Sequence, residues 1–295
     1  LGQDRRPTKL LRHGPKGQER PALLDAQGRL RGLDGLLRDI DAAALSPASL
    51  ARLRAIDPAT LPLVTDPGRT GVPWAGCGKF VCVGLNYADH AAEAGLPLPR
   101  EPLLFMKPPS CMVGADDPIV LPQGSTKADW EVELGVVIGR TARCVAEADA
   151  LSHVAGYCVV NDLSEREYQL ERGGTWDKGK GCDTFGPVGP WLVTADEVPY
   201  PQALPLWPEV NGHRWQDGST ATMVFGVAAL IAYISRFMTL YPGDLVSTGT
   251  PPGVGLGARP EPVFLKPGDT MQLSVHGLGV QHQAVHAWDP ALLDG

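Results

Sequence analysis

No long apolar run interrupts this 295-residue chain; the longest, around Val224 to Ile234, is far short of the roughly 20 residues that a bilayer span requires. A membrane-spanning helix is not expected, and the protein should be soluble. Positive charge is in deficit, with 26 Lys and Arg against 33 Asp and Glu, so nucleic acid and anionic membrane surfaces would be repelled. The cysteines (Cys77, Cys82, Cys111, Cys144, Cys158, Cys182) form no C-x-x-C pair and no compact framework. That argues against a zinc cluster and suits reduced thiols in a cytoplasmic protein. There is no internal repeat and no low-complexity tract. The opening Leu1 to Thr8 has no initiator Met and no charged-then-apolar segment after it, and is set aside from the fold reading.

What the chain does have is a globular balance, 43% hydrophobic and 20% charged, in a length that suits a large core with a smaller appendage. Its 35 Gly and 28 Pro are spread throughout and favour many short strands and turns over long helices. The expected class is β-rich α+β, with residues 1–75 a small N-terminal domain and linker and residues 76–295 a larger second domain. In the first part a strand pair is expected around Lys9 to Leu24. A helix should then start at Ser46 as N-cap, with Pro47 at N1 and a Leu45/Leu50 staple, and stop near Asp57-Pro58. The proline-bearing run Asp57 to Trp74 reads as a surface linker. Beyond it, Phe80 to Val83 and Glu131 to Ile138 read as strands, and Asn86 to Glu93 as a short helix closed by Gly95. Ser164-Glu165-Arg166-Glu167 reads as a capping box opening a helix that Gly173-Gly174 ends. Val227, Leu230, Ile231, Ile234 and Met238 recur at helical spacing and mark a core-facing helix.

Strand alternation in Trp130-Glu131-Val132-Glu133-Leu134 places Glu131 and Glu133 on one face and Val132 and Leu134 on the other. Two carboxylates ~4 Å apart repel by about 4 kcal/mol at an effective dielectric near 20, so indoors such a pair needs a cation or a shared proton. Asp162 offers a third carboxylate, where the apolar run Tyr157 to Val160 should stop. Oxygen ligands without nearby His or Cys suit Mg2+, Mn2+ or Ca2+ better than zinc. An isolated E-x-E is, however, more often the wet face of an edge strand.

The order of motifs tips that balance. Gly84-Leu-Asn-Tyr-Ala-Asp-His-Ala-Ala-Glu93, Phe105-Met-Lys-Pro108, Glu131-Val-Glu133 and Asn161-Asp-Leu-Ser-Glu-Arg-Glu-Tyr-Gln169 come first. Lys180-Gly-Cys-Asp-Thr-Phe-Gly-Pro187, Val210-Asn-Gly212, Gln216-Asp-Gly218 and Thr248-Gly-Thr-Pro251 follow. In this series the chain resembles the fumarylacetoacetate hydrolase family from about residue 79 to its end. The resemblance implies a metal held by Glu131, Glu133 and Asp162, a catalytic domain of rolled mixed β-sheets beside a small N-terminal domain, and a homodimer. Lys180-Gly-Cys-Asp-Thr-Phe-Gly-Pro187 together with Lys9-Leu-Leu-Arg-His-Gly-Pro-Lys-Gly17 resembles the bacterial 2,4-diketo-3-deoxy-rhamnonate or -fuconate hydrolases, some of which carry ureidoglycolate lyase labels. The implied substrate is a diketo sugar acid cut into pyruvate and lactate. Some family members recruit a fourth carboxylate, for which only Asp89 could serve here; it reads instead as a helix or turn partner.

A 2-oxo carboxylate can chelate a divalent ion, most simply Mg2+, through its carboxylate and keto oxygens. Three carboxylates leave such an ion with a net negative surround, so an anionic substrate needs cations nearby, and Lys107, Arg166 and Lys180 are the candidates. His90 and Glu93, three residues apart on a helix, form a general-base pair that would activate water. Lys180 would stabilise the developing enolate, completing the catalytic set His90, Glu93 and Lys180. Lys107, Arg166, Gln169 and Thr250 are the expected substrate-binding residues, mainly by resemblance. Gly95 and the proline-bearing run Leu96 to Pro102 could hinge the short helix Asn86 to Glu93 as a lid over the metal. His282 and His286 share a strand face, but no motif supports a metal there. Cys182 has no base beside it and reads as a packing residue. The competing outcomes for the same site are decarboxylation, isomerisation or dehydration of a 2-oxo acid; a non-catalytic, metal-stabilised binding domain is a third reading.

Overall fold

The computed structural model describes residues 8–89 and 97–293. Its strands, in chain order, begin with β1 (Lys9–His13), β2 (Arg20–Leu24), β3 (Leu30–Gly32), β4 (Phe80–Gly84) and β5 (Leu103–Lys107). The short strands β6 (Met112–Val113), β7 (Ile119–Val120) and β8 (Ala128–Asp129) lead into β9 (Val132–Ile138), β10 (Val154–Asn161), β11 (Ser164–Glu165) and β12 (Gly186–Thr194). Then come β13 (Pro205–Val210), β14 (His213–Arg214), β15 (Gly218–Ser219), β16 (Leu245–Ser247), β17 (Thr270–Val275) and β18 (Val280–His286).

A 10-stranded mixed sheet runs β3-β2-β1-β12-β10-β9-β16-β4-β5, with β6 attached to β12. A 6-stranded sheet runs β14-β13-β17-β18-β7, with β15 on β13, and β8 pairs with β11 alone. The centre of the large sheet is covered on both sides, which is why β9 and β10 read as nearly continuous apolar runs. On one face Val132, Leu134, Val136, Tyr157 and Val159 pack with Leu206, Met271, Leu273 and Val275 of the smaller sheet and with Leu230, Ile231 and Ile234 of the helix Val227–Phe237. On the other face Val137, Cys158, Val160 and Leu245 meet Leu10, Leu23, Leu45, Leu50 and Leu53 from the N-terminal segment.

β1 pairs antiparallel with β12, so that segment extends the large sheet. The helix Pro47–Arg54 starts where its signals place it: Ser46 Oγ accepts from Ser49 N, and Leu45 and Leu50 are both buried. The run from Asp57 ends at the buried Trp74, whose indole N–H donates to Gly243 O at 2.8 Å.

Two local expectations change. Ser164 does not cap the helix Arg166–Leu170: its backbone pairs with Asp129 in the β8–β11 bridge, and its hydroxyl donates to Asp162 O at 3.1 Å. Glu165 is the N-cap, accepting from Glu167 N at 2.9 Å. The capping-box pattern is thus displaced by one residue because a strand pairing has first claim on the serine. Glu131 also lies one residue before β9 rather than within it, its N–H donating to Asn161 Oδ1 at 3.2 Å. Among the described residues no helix is long and apolar enough to cross a membrane.

Candidate metal and substrate site

β9 lies inside the sheet between β10 and β16, so Glu131 and Glu133 do not line a wet edge. Both are buried, as is Asp162 at the end of β10, and ligand oxygens of the three lie within 4.8 Å of one another. Oxygens held around one divalent cation at its usual bond lengths stand at most roughly 4–5 Å apart, so the spacing fits such an ion, and no His or Cys belongs to the group. The elements explain the convergence. Val160 pairs with Glu133 across β9 and β10, and Asp162 N donates to Glu131 O at 2.9 Å just past the end of that pairing.

Each carboxylate has its own partners. Glu133 accepts from Ser247 Oγ and, at 2.9 Å, from Gly249 N, both at the end of β16. Lys180 Nζ bridges Glu131 Oε2 and Asp162 Oδ2 at 2.8 Å each. Lys107 Nζ reaches Asp162 Oδ1 at 2.6 Å and Leu163 O at 2.9 Å. Arg166 donates from Nη2 to Glu131 Oε1 at 2.7 Å, from Nε to Asp129 Oδ2 at 2.8 Å and from Nη1 to Gln169 Oε1 at 3.0 Å. The floor therefore gathers four carboxylates (Asp129, Glu131, Glu133, Asp162) around three cations (Lys107, Arg166, Lys180).

This arrangement separates the two glutamates. Burial opposes the charge of Glu131, but Lys180 and then Arg166 outweigh it and hold the carboxyl down at about 2. Burial, reinforced by the Asp162 and Glu131 charges, pushes Glu133 well above the usual carboxylate range. A divalent ion would supply the charge that Glu133 lacks. Burial also opposes the charge on Lys107 and on Arg166. Asp162 outweighs it for Lys107, Asp129 and Glu131 for Arg166, and both cations stay above their ordinary values.

Above this floor opens a cavity of about 350 Å³. Glu131, Glu133, Arg166, Gln169, Lys180 and Thr250 line its polar part, with Phe105, Trp176, Leu170, Val254 and Leu256 on its walls. Phe105 and Trp176 meet edge to face at 5.2 Å, and Lys180 Nζ stands 5.0 Å from the Phe105 ring centre. Thr250 Oγ1 donates to Val132 O and accepts from Gln216 Nε2, so its hydroxyl is fixed. Lys107 does not line the cavity; its side chain is wholly enclosed behind Asp162. His90, Glu93 and the rest of residues 90–96 of the expected lid lie outside the described residues. Asp89 accepts from Thr222 Oγ1. His282 is exposed, 3.4 Å from Asp116, and burial pushes the Cys182 thiol up to about 11.

Three contributors escaped the sequence reading. Asp129 continues the Glu131/Glu133 alternation backwards by two residues, a usable signal. Gln216 belongs to a quoted motif, yet its role is visible only in space: it accepts from Val132 N at 3.1 Å while donating to Thr250 Oγ1 and Pro251 O. Ser247 had no local signal.

Residues 79–286 match the model of the fumarylacetoacetate (FAA) hydrolase C-terminal family. A relative from Burkholderia ambifaria, bearing a provisional hydrolase assignment without a substrate, is 63% identical over 94% of this chain and 98% of its own. A fumarylacetoacetate hydrolase from Exiguobacterium antarcticum is 34% identical, with a TM-score of 0.83 over 95% of this chain and 100% of its own. A 2-hydroxyhepta-2,4-diene-1,7-dioate isomerase from Mycobacterium marinum is 32% identical, with a TM-score of 0.73 over 95% and 98%. A fumarylpyruvate hydrolase from Pseudomonas aeruginosa, crystallised in complex with Mn2+ and pyruvate, is 31% identical, with a TM-score of 0.66 over 76% and 94%. The chain belongs to the fumarylacetoacetate hydrolase family.

Proposed function

We propose that the protein is a divalent-metal-dependent hydrolase that cleaves the C3–C4 bond of a 2,4-dioxo acid, releasing pyruvate and a second carboxylic acid. One observation carries the reading: three buried carboxylates cluster at a cavity whose lining includes Glu131, Glu133, Lys180 and Arg166, with Asp162 enclosed directly behind. A divalent ion held by Glu131, Glu133 and Asp162, Mg2+ or Mn2+ in the first instance, supplies Lewis acidity toward a chelating 2-oxo carboxylate. The Pseudomonas relative's complex with Mn2+ and pyruvate supports that pairing of ion and product.

The chain's own groups then divide the work. His90, supported by Glu93, takes a proton from water, and the oxygen adds to the C4 carbonyl. As the C3–C4 bond breaks, its electron pair passes to C3 and the adjoining C2 carbonyl. Lys180 supplies the positive charge that this enolate needs, and the proton held by His90 returns to C3. Arg166, Gln169 and Thr250 orient the substrate oxygens. Lys107, enclosed behind Asp162, holds that carboxylate in place. With a 2,4-diketo-3-deoxy-rhamnonate the second acid is lactate.

The Mycobacterium isomerase match favours a second reading, in which a proton leaves C3 of the intact acid and returns at another carbon, with no water added and no carbon-carbon bond broken. Product analysis by NMR separates them: the protein with Mg2+ is given a 2,4-diketo-3-deoxy-rhamnonate, with oxaloacetate and a Glu131→Ala variant alongside. Equal pyruvate and lactate, absent in the variant, is the expected result. Turnover of oxaloacetate alone would make the enzyme a decarboxylase, a rearranged C6 product an isomerase, and no turnover of either acid would defeat the catalytic reading.

A further inference from the structure

Asp129 takes no part in the chemistry above, yet it is wholly buried beside it and accepts from every side. Trp130 N at 2.8 Å and Gly255 N at 2.7 Å reach Oδ1, and Leu256 N at 3.0 Å reaches Oδ2. Arg166 Nε donates to Oδ2 at 2.8 Å, and its Nη2 is ion-paired with the same oxygen at 2.7 Å. A carboxylate offers about four lone-pair positions, so this one is saturated and has none left for a cation. Two of its donors belong to the loop that carries the cavity-wall residues Val254 and Leu256. That loop packs so closely at Gly255 that a side chain has no room there: a Cβ would stand 2.0 Å from Val263 O and 2.8 Å from Asp129 Oδ1. The same Arg166 Nη2 that is ion-paired with Asp129 donates to Glu131 Oε1 at 2.7 Å.

We propose that Asp129 is a positioning residue that balances Arg166: by sharing the guanidinium with Glu131, it keeps Glu131 available to a divalent cation and locks the cavity-wall loop to the floor. The inference rests on the reading of Glu131 as a cation ligand. With Asp129 neutral, Arg166 would be answered by Glu131 alone. The floor would gain one unit of positive charge, repelling a cation and attracting an anion. Simple loosening of the site would weaken both, so the opposite signs identify the role.

The test is calorimetric titration of Mn2+ into the metal-stripped protein, followed by oxalate into the Mn2+-saturated protein. In Asp129→Asn, Mn2+ should bind on the order of tenfold more weakly, the scale of one unit charge several ångströms away in a partly screened interior, while oxalate binds no worse or tighter. Arg166→Gln should move Mn2+ affinity the other way. The double variant, which restores the net charge, should return it to within roughly threefold of wild type. Should Asp129→Asn not fold, Arg166→Gln and the double variant decide. Equal weakening of both ligands, no change in either, or an Arg166→Gln variant with unchanged Mn2+ affinity overturns the role of Asp129. A wild-type protein that binds no Mn2+ overturns the metal reading itself.

Discussion

Lys107→Met tests whether a fully enclosed lysine holds the floor together. The substitution keeps an unbranched side chain out to the ε position but leaves Asp162, among the described residues, with Lys180 as its remaining cationic partner, and Leu163 O without the lysine donor. Breaking a buried ion pair on one side costs about 3–5 kcal/mol. At ~2.1 cal/mol/K per residue, a chain of this size unfolds with an entropy near 0.6 kcal/mol/K, so the expected fall in Tm is about 5–8 °C. Scanning calorimetry in EDTA reads it directly. The lysine's folded pKa lies above its ordinary value because Asp162 outweighs the burial that would lower it. Its contribution is then fully present below the unfolded value of about 10.4 and is lost only as pH rises through the folded one. The deficit should stay constant from pH 6 to 9. Saturating Mn2+ should recover more stability in the variant than in wild type, since the floor has lost a competing positive charge. A fall below about 2 °C, or one that fades toward pH 9, would refute the reasoning.

Two further substitutions probe the same architecture. Glu131→Gln in EDTA should be less stable than wild type at pH 6, with a gap that stays level down to about pH 4.5 and closes as pH falls toward 2. The sign follows because Lys180 and Arg166, against burial, hold the folded carboxyl at about 2, below its unfolded value; denaturant titrations at several pH values check it. Gln216→Leu leaves Val132 N and Pro251 O without partners, at about 1–3 kcal/mol each, and removes the amide that fixes Thr250. Urea unfolding should show the loss, and kcat/KM should fall by more than Tm alone accounts for.

The fold was legible where one local signal had no rival. Ser46, Pro47 and Leu50 defined a helix start because capping, proline geometry and apolar packing agree there. The helix Val227–Phe237 was visible through its spacing. The capping box at Ser164 failed because a long-range pairing with Asp129 competes for the same residue. Alternation and a strand end, both local, marked Glu131, Glu133 and Asp162 as candidates, but only the order of motifs along the chain joined them into one cluster. The enclosure of Lys107 was not legible, since its burial depends on β5 lying at one end of the large sheet while Asp162 comes from its middle. Ser247 reaches Glu133, and Gln216 reaches Val132, across more than 80 positions in sequence, and no periodicity encodes that.

The charges on the floor also dictate an order of binding. Four carboxylates against three cations give a net charge of -1, or zero when Glu133, pushed up by burial and by its acidic neighbours, holds a proton. In neither state does the floor offer surplus positive charge to an anion. Adding a divalent ion raises the total to +1 with Glu133 ionised, enough to match one substrate carboxylate. Oxalate should therefore bind measurably only after Mn2+, and Mn2+ should bind without oxalate. Because Glu133 must lose its proton to join the ion, Mn2+ uptake near neutral pH should release up to one proton, read from calorimetric heats in buffers of different ionisation enthalpy. Tight oxalate binding to the metal-stripped protein would mean that Lys180 or Arg166 is freer than its contacts with Glu131 and Asp162 allow.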